Sequence, residues 1–246
     1  MADRWFDGTY YKREITLNYM DCNTERRVFL HYILGIFSEI AGDESQAKGR
    51  THEVLVNQGR VFLITRMSIR LHRTPCVNET LIFRTWFRKT EGRFFLRDCD
   101  VTSPEGELIA SVSGTWVLID LAEHRVLDTS EHPLSGLKSF SEAADSPECR
   151  KVFSEETLPV IGTRPVYYTD LDCNCHLNNT AYSRIATDFL PPEYQSREVR
   201  DFVINFNKET KLEDTLEIRG EGRRDSFLIQ GIAGDVQHFA CEFTFS

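Results

Sequence analysis

Asp172-Cys173-Asn174-Cys175-His176-Leu177-Asn178-Asn179 sets a carboxylate, a carboxamide and an imidazole at alternate positions, then runs into an apolar helical stretch. Alternation places Asp172, Asn174 and His176 on one side and Cys173 and Cys175 on the other. A partial copy lies upstream at Asp21-Cys22-Asn23-Thr24-Glu25; it pairs Asp21 with Asp172, Asn23 with Asn174 and Glu25 with His176. Two similar halves, only one with the full polar set, point to a duplicated unit with one working site.

Each copy leads into a helix and then strands. Phe29 to Ala41 carries Phe29, Ile33, Leu34, Ile36, Phe37 and Ile40 near helical spacing, over an arc broad enough to be buried against a sheet. Ala181 to Leu190 is the second helix, stopped by Pro191 and Pro192 and capped by Asn178 or Asn179. Met67-Ser68-Ile69-Arg70-Leu71 matches Phe202-Val203-Ile204-Asn205-Phe206, and Glu79-Thr80-Leu81 matches Asp214-Thr215-Leu216 at the same offset. Val, Ile, Phe, Thr and Trp dominate further strands expected at Thr80–Arg88, Arg93–Thr102, Leu108–Asp120, Leu216–Glu221, Ser226–Ala233 and Gln237–Phe245. The expected class is α+β: two units over residues 5–128 and 160–246, each a long buried helix wrapped by an antiparallel sheet, joined by a Ser-, Glu-, Ala- and Pro-rich linker over 129–159.

A length of 246 residues with 41% hydrophobic content suffices for such cores. No apolar run reaches the roughly 20 residues of a membrane-spanning helix. The amino terminus lacks the basic start and apolar core of a secretory signal and is too acidic for a transit peptide, so a cytoplasmic location is expected. Seven irregularly spaced cysteines fit a reducing compartment better than a disulfide framework. A net charge of −9 argues against nucleic acid as a partner. Cys173-x-Cys175 falls one residue short of zinc-site spacing and has no second ligand pair, so no metal and no cofactor are expected.

The motif Asp172-x-Asn174-x-His176-x-Asn178-Asn179, with Phe62-Leu63-Ile64-Thr65-Arg66-Met67 and Thr85-Trp86-Phe87 upstream, resembles that of the acyl-acyl carrier protein (acyl-ACP) thioesterases. The resemblance implies a double hotdog fold. It also implies hydrolysis of the thioester between a fatty acyl chain and carrier-protein phosphopantetheine, giving free fatty acid and holo carrier protein. Asp172, Asn174 and His176 are carried over as catalytic residues. Plant members follow with a Glu-Cys pair; here Glu209 matches the Glu and Thr210 replaces the Cys, so a cysteine nucleophile is impossible there and substitution of Thr210 is expected to matter little. The same resemblance gives the first half the acyl pocket, with Phe29, Ile33 and Phe37 setting chain length and Asn178 at the substrate.

In chemical terms Glu209 is the candidate general base, with His176 sharing that role or orienting the water. Asn174 offers an amide donor to the carbonyl oxygen or holds the water. Backbone N–H groups near Asn178 complete an oxyanion site worth about 3–4 kcal/mol per donor, and Asp172 orients a neighbour. In the first half Glu25 stands for His176 and Thr74 for Glu209, which leaves one active site in the second half. An acyl-coenzyme A thioesterase and a non-catalytic acyl-binding module remain alternatives. The basic pairs Lys208/Lys211, Arg197/Arg200 and Arg223/Arg224 suit an acidic carrier protein or an ordinary solvated surface. Since both units lie in one chain, monomer and homodimer are both open.

Overall fold

Ile33, Leu34, Ile36, Phe37 and Ile40 are all buried along one helix, α1 (Leu30–Ala47), which runs six residues past the expected end. Phe29 is its N-cap, with extended backbone. The structure, a computed structural model, describes residues 3–131, 139–154 and 157–246. Before α1 come β1 (Arg4–Asp7) and β2 (Tyr10–Thr16); after it come α2 (His52–Asn57), β3 (Arg60–Leu71), β4 (Thr80–Glu91), β5 (Phe94–Thr102), β6 (Leu108–Asp120) and the short β7 (Arg125–Val126). The second half has β8 (Val160–Pro165), α3 (Asn179–Asp188), α4 (Pro192–Gln195), β9 (Val199–Phe206), β10 (Thr215–Gly222), β11 (Ser226–Ala233) and β12 (Val236–Phe245). The Asn178 side chain caps α3 by accepting the Thr180 N–H at 2.9 Å.

The strands form one antiparallel sheet in the order β1-β2-β4-β5-β6-β3-β9-β12-β11-β10-β8, with β7 on β6. The halves meet where β3 pairs with β9: Met67 faces Ile204, Ser68 faces Val203 and Ile69 faces Phe202. Exchanging each residue for its repeat partner turns the Met67–Ile204 pair into the Ile69–Phe202 pair and leaves Ser68–Val203 in place. A local two-fold axis therefore passes between Ser68 and Val203. Met67, Ile69, Phe202 and Ile204 point toward the helices and join α1 and α3 in one core. The helices pack closely: a Cβ on Gly35 of α1 would sit 3.3 Å from Thr180 of α3.

Within the first motif the repeat differs from the expectation by two residues. Asp21 and Asp170 each close a single 3-10 turn, accepting the N–H of Asn18 at 2.7 Å and of Tyr167 at 2.9 Å. Cys22 bridges Val28 as Leu171 bridges Leu177, and Arg27 bridges Cys76 as His176 bridges Lys211. Arg26 and Cys175 both have positive φ. Asp21 thus corresponds to Asp170, Asn23 to Asp172, Glu25 to Asn174 and Arg27 to His176. Matching like letters had aligned Asp21-Cys22-Asn23 with Asp172-Cys173-Asn174; the hydrogen bonds that shape the loops align them otherwise.

The described part of the inter-half segment, residues 139–154, lies across the sheet face away from the helices and satisfies polar groups there. Trp86 Nε1 donates to Glu142 O at 3.0 Å and Ser68 Oγ to Pro147 O at 2.6 Å. The buried Asp98 accepts from Ser113 Oγ and the Ala144 N–H. Asn205 accepts the Val152 N–H and donates to Arg150 O. Val152 completes a small apolar cluster with Val203 and Ala240.

Candidate active site

The polar loop is built on Asp170. Its buried carboxylate accepts from Arg164 at 2.9 and 3.0 Å, from Arg184 and from the Tyr167 N–H. Its carbonyl accepts the Asn178 N–H, which closes the loop at the mouth of α3. Inside the loop Asp172 N–H donates to His176 O at 2.8 Å, and Asp172 Oδ1 accepts the N–H of Asn174 at 2.8 Å and of His176 at 3.4 Å. Asp172 therefore shapes the backbone that presents Asn174 and His176. Cys175, at φ 61°, provides the left-handed turn between them. Cys173, Asn174 and Cys175 are exposed.

The loop is stitched to the turn after β9: Leu177 N–H donates to Thr210 O at 2.8 Å. This brings His176 Nε2 to 3.2 Å from Glu209 Oε2, with the imidazole 30% and the carboxylate 52% exposed. A neutral His176 with its proton on Nε2 toward Glu209 keeps a lone pair on Nδ1. The pair sits beside the first turn of α3, whose dipole favours negative charge. The backbone donors expected near Asn178 are already engaged: the Asn178 N–H is on Asp170 O, the Thr180 N–H on the Asn178 side chain and the Ala181 N–H on Asn178 O. One loop thus carries Asp172, Asn174 and His176 and meets Glu209 through His176, while the Asn178 side chain at its end is taken up by the N–H and hydroxyl of Thr180.

Phe29, Ile33 and Phe37 are not gathered with them. Phe29 stacks on His31 and lines a cavity of about 420 Å³ with Asn23, Glu25, Arg27 and Thr74, the first half's counterpart of the polar loop. Ile33 and Phe37 are fully buried core residues; Phe37 packs against Trp116 at 5.6 Å between ring centroids. A larger cavity, about 620 Å³, lies between the C-terminal half of α1 and strands β3 to β6, with Phe62, Phe87, Phe95, Leu96 and Trp116 on the sheet side. Its helix side includes Ser38 and Gly42, just past the Gly35–Thr180 contact, and Glu44. Burial pushes the Glu44 carboxyl up, but Arg97 and Lys48 outweigh burial and hold it below the ordinary range.

Sequence reasoning missed a third group, behind Glu209. Tyr182 Oη lies 2.9 Å from Thr210 Oγ1 and accepts the Thr210 N–H at 3.2 Å; Thr210 Oγ1 lies 2.7 Å from His238 Nδ1. Thr210 is 0%, Tyr182 3% and His238 4% exposed. Thr210, expected to be dispensable, is a fully enclosed hydrogen-bonding residue, because the turn after β9 seats it against Tyr182 of α3. Burial pushes the His238 imidazole below its ordinary value and the Tyr182 phenol above its own. A single His between Gln237 and Phe239 in a strand gave no spacing signal.

Residues 8–135 match the family described as "Acyl-ACP thioesterase N-terminal domain" and residues 158–243 the one described as "Acyl-ACP thioesterase C-terminal domain". The chain belongs to the acyl-ACP thioesterase family. It is 23% identical over 229 residues to the chloroplastic palmitoyl-acyl carrier protein thioesterase of Cuphea hookeriana, covering 86% of this chain and 54% of that one. Identity to the chloroplastic oleoyl-acyl carrier protein thioesterase of Coriandrum sativum is 22%, over 86% and 62%. The chain thus spans little more than half the length of these relatives. Among solved structures, an acyl-ACP thioesterase from Bacteroides thetaiotaomicron superimposes with a TM-score of 0.88 over 97% of this chain and 98% of that one, at 17% identity. The 12:0-ACP thioesterase of Umbellularia californica gives 0.85 over 98% and 99%, at 14%. The fold is the double hotdog that the motif implied. No helix among the described residues is long and apolar enough to cross a membrane.

Proposed function

We propose that this chain hydrolyses fatty acyl-acyl carrier protein thioesters at a single site in its second half. The observation that carries the reading is the 3.2 Å contact between His176 Nε2 and Glu209 Oε2 at the mouth of α3. The equivalent places in the first half hold Arg27 and Thr74, which cannot take a proton from water at neutral pH. Glu209, with His176, removes a proton from a water molecule whose oxygen attacks the thioester carbonyl carbon. Asn174 stabilises the oxyanion by donating its amide N–H, and the positive end of the α3 dipole adds to that field. Collapse breaks the C–S bond, the phosphopantetheine sulfur takes up the proton, and free fatty acid leaves with holo carrier protein.

In this reading residues 5–128 supply the acyl pocket and residues 160–246 the chemistry. The aromatic-walled cavity beside α1 takes the acyl chain, in place of the expected Phe29, Ile33 and Phe37. Lys208 and Lys211, flanking Glu209, attract an acidic carrier protein. The protein works as a monomer, or as a homodimer through its open sheet edges β1 and β8. Seven free cysteines, three of them exposed, fit a reducing compartment, the cytoplasm in this reading.

The test is thiol and fatty-acid release from a panel of acyl carrier proteins and the matching coenzyme A esters. The expected kcat/KM is at least about tenfold higher on the carrier substrates. Preference for the coenzyme A esters would favour the acyl-coenzyme A reading. Tight acyl binding without thiol release would favour a binding module.

A further inference from the structure

Glu209 is half exposed, and its distance from His176 is set by the turn that carries it. That turn has a backbone clamp common to both halves. Asn207 and Lys208 donate their N–H groups to His238 O at 2.8 and 3.1 Å, just as His72 and Arg73 donate to Ile109 O at 2.9 and 3.4 Å. Leu177 N–H donates to Thr210 O as Val28 N–H donates to Pro75 O. In the first half the turn forms with these backbone bonds and with side-chain bonds at its surface, from Arg73 to Glu79 and Glu107 and from the Cys76 N–H to Glu79, and needs no buried polar cluster. The side chains behind it differ completely. Where the second half has Tyr182, Thr210 and His238, the first half has Ile33, Pro75 and Ile109, none of which can make a side-chain hydrogen bond.

Burying three polar side chains is costly unless each finds a partner. Such a group fixes one geometry more tightly than apolar packing does when its members bond one another. Here they do: hydroxyl to hydroxyl at 2.9 Å, hydroxyl to imidazole at 2.7 Å, and the Thr210 N–H on the phenol at 3.2 Å. Tyr182 Oη also reaches Lys208 O at 3.4 Å, so the cluster touches the turn on both sides of Glu209. The cluster occurs only in the half that has the His–Glu pair, while the half without that pair builds the same turn without it.

We propose that Tyr182, Thr210 and His238 are positioning residues that hold the Glu209 turn at working distance from His176. The inference rests on the hydrolase reading of His176 and Glu209. A small displacement of a general base lowers turnover steeply while leaving acyl binding, which occurs elsewhere, unchanged.

The experiment compares Thr210→Val, Thr210→Ser and Tyr182→Phe, and places Thr210→Val in a Glu209→Gln background, with thiol release from an acyl carrier protein as readout and thermal unfolding as the control. Thr210→Val is expected to lower kcat about tenfold or more with KM within about twofold, and Thr210→Ser to keep roughly half the wild-type kcat. In the Glu209→Gln background Thr210→Val should cost less than about twofold, since the group it positions is already gone. Tyr182→Phe keeps the ring and carries the same test if Thr210→Val does not fold. Wild-type kcat in Thr210→Val or Tyr182→Phe, or a loss that multiplies undiminished in the Glu209→Gln background, would overturn the proposal. A Glu209→Gln variant as active as wild type would instead overturn the assignment of Glu209 as the base, and no thiol release from the wild-type protein would overturn the hydrolase reading itself.

Discussion

Replacing Glu209 by Gln separates chemistry from stability because the structure assigns the two effects very different sizes. The substitution keeps the shape of the side chain and removes the carboxylate that faces His176 Nε2 at 3.2 Å. A contact between ionisable groups as open to solvent as this one contributes about 0–1 kcal/mol to folding. For a chain of this length each kcal/mol corresponds to about 2–4 °C in Tm, so Tm should move by less than about 4 °C. Loss of a general base lowers turnover by about 100- to 10,000-fold, or about 2.7–5.5 kcal/mol of activation free energy. The assay is initial-rate thiol release across a range of acyl carrier protein concentrations, with unfolding followed on the same preparation. A large fall in kcat, little change in KM and an almost unchanged Tm are expected. A kcat within about threefold of wild type, or a fall in activity matched by an equal loss of folded protein, would refute the assignment.

Asn174→Ala and His176→Ala should each lower kcat by more than about 100-fold with the fold retained; circular dichroism and the same thiol assay check this. Asp170→Ala should act on stability first. It removes a buried carboxylate bonded to Arg164, Arg184 and the Tyr167 N–H, at a cost of about 2–4 kcal/mol after allowing for the partial exposure of the arginines. That corresponds to roughly 5–15 °C in Tm. His31 links the fold to pH: burial, with Arg184 nearby, lowers its pKa from 6.5 to about 4. The unfolded chain binds this proton below about 6.5 and the folded chain does not until about 4, so stability is lost as pH falls through that window. His31→Gln should flatten this part of the dependence of the denaturation midpoint on pH, and an unchanged slope would contradict it.

The helix of the first half was legible because Ile33, Leu34, Ile36, Phe37 and Ile40 repeat with one period and face one core. The strands from Thr80 onward were legible because turn residues bracket β-branched and aromatic runs. The candidate loop stood out by its composition, but its match in the first half was misread by two residues. Asp21 and Asp170 are alike through the N–H each accepts, and letters do not record that. The polar service of residues 139–154 was hidden because a segment that binds through carbonyls and N–H groups needs no particular side chains. Tyr182, Thr210 and His238 come from a helix, a turn and a strand distant in sequence, each alone in an ordinary context. The pairing of β9 with β12 brings Thr210 to His238, and the packing of Tyr182 on Phe206 and Phe239 adds the third.

The β3–β9 seam has a consequence for how this molecule can change. In an assembly of two identical subunits every substitution appears twice, so an improvement at one place is imposed on its twin. Here the two related edges are covalently joined, and Met67–Ile204 and Ile69–Phe202 are free to differ. One gene can then sharpen a reactive cleft while its mirror site drifts toward another use.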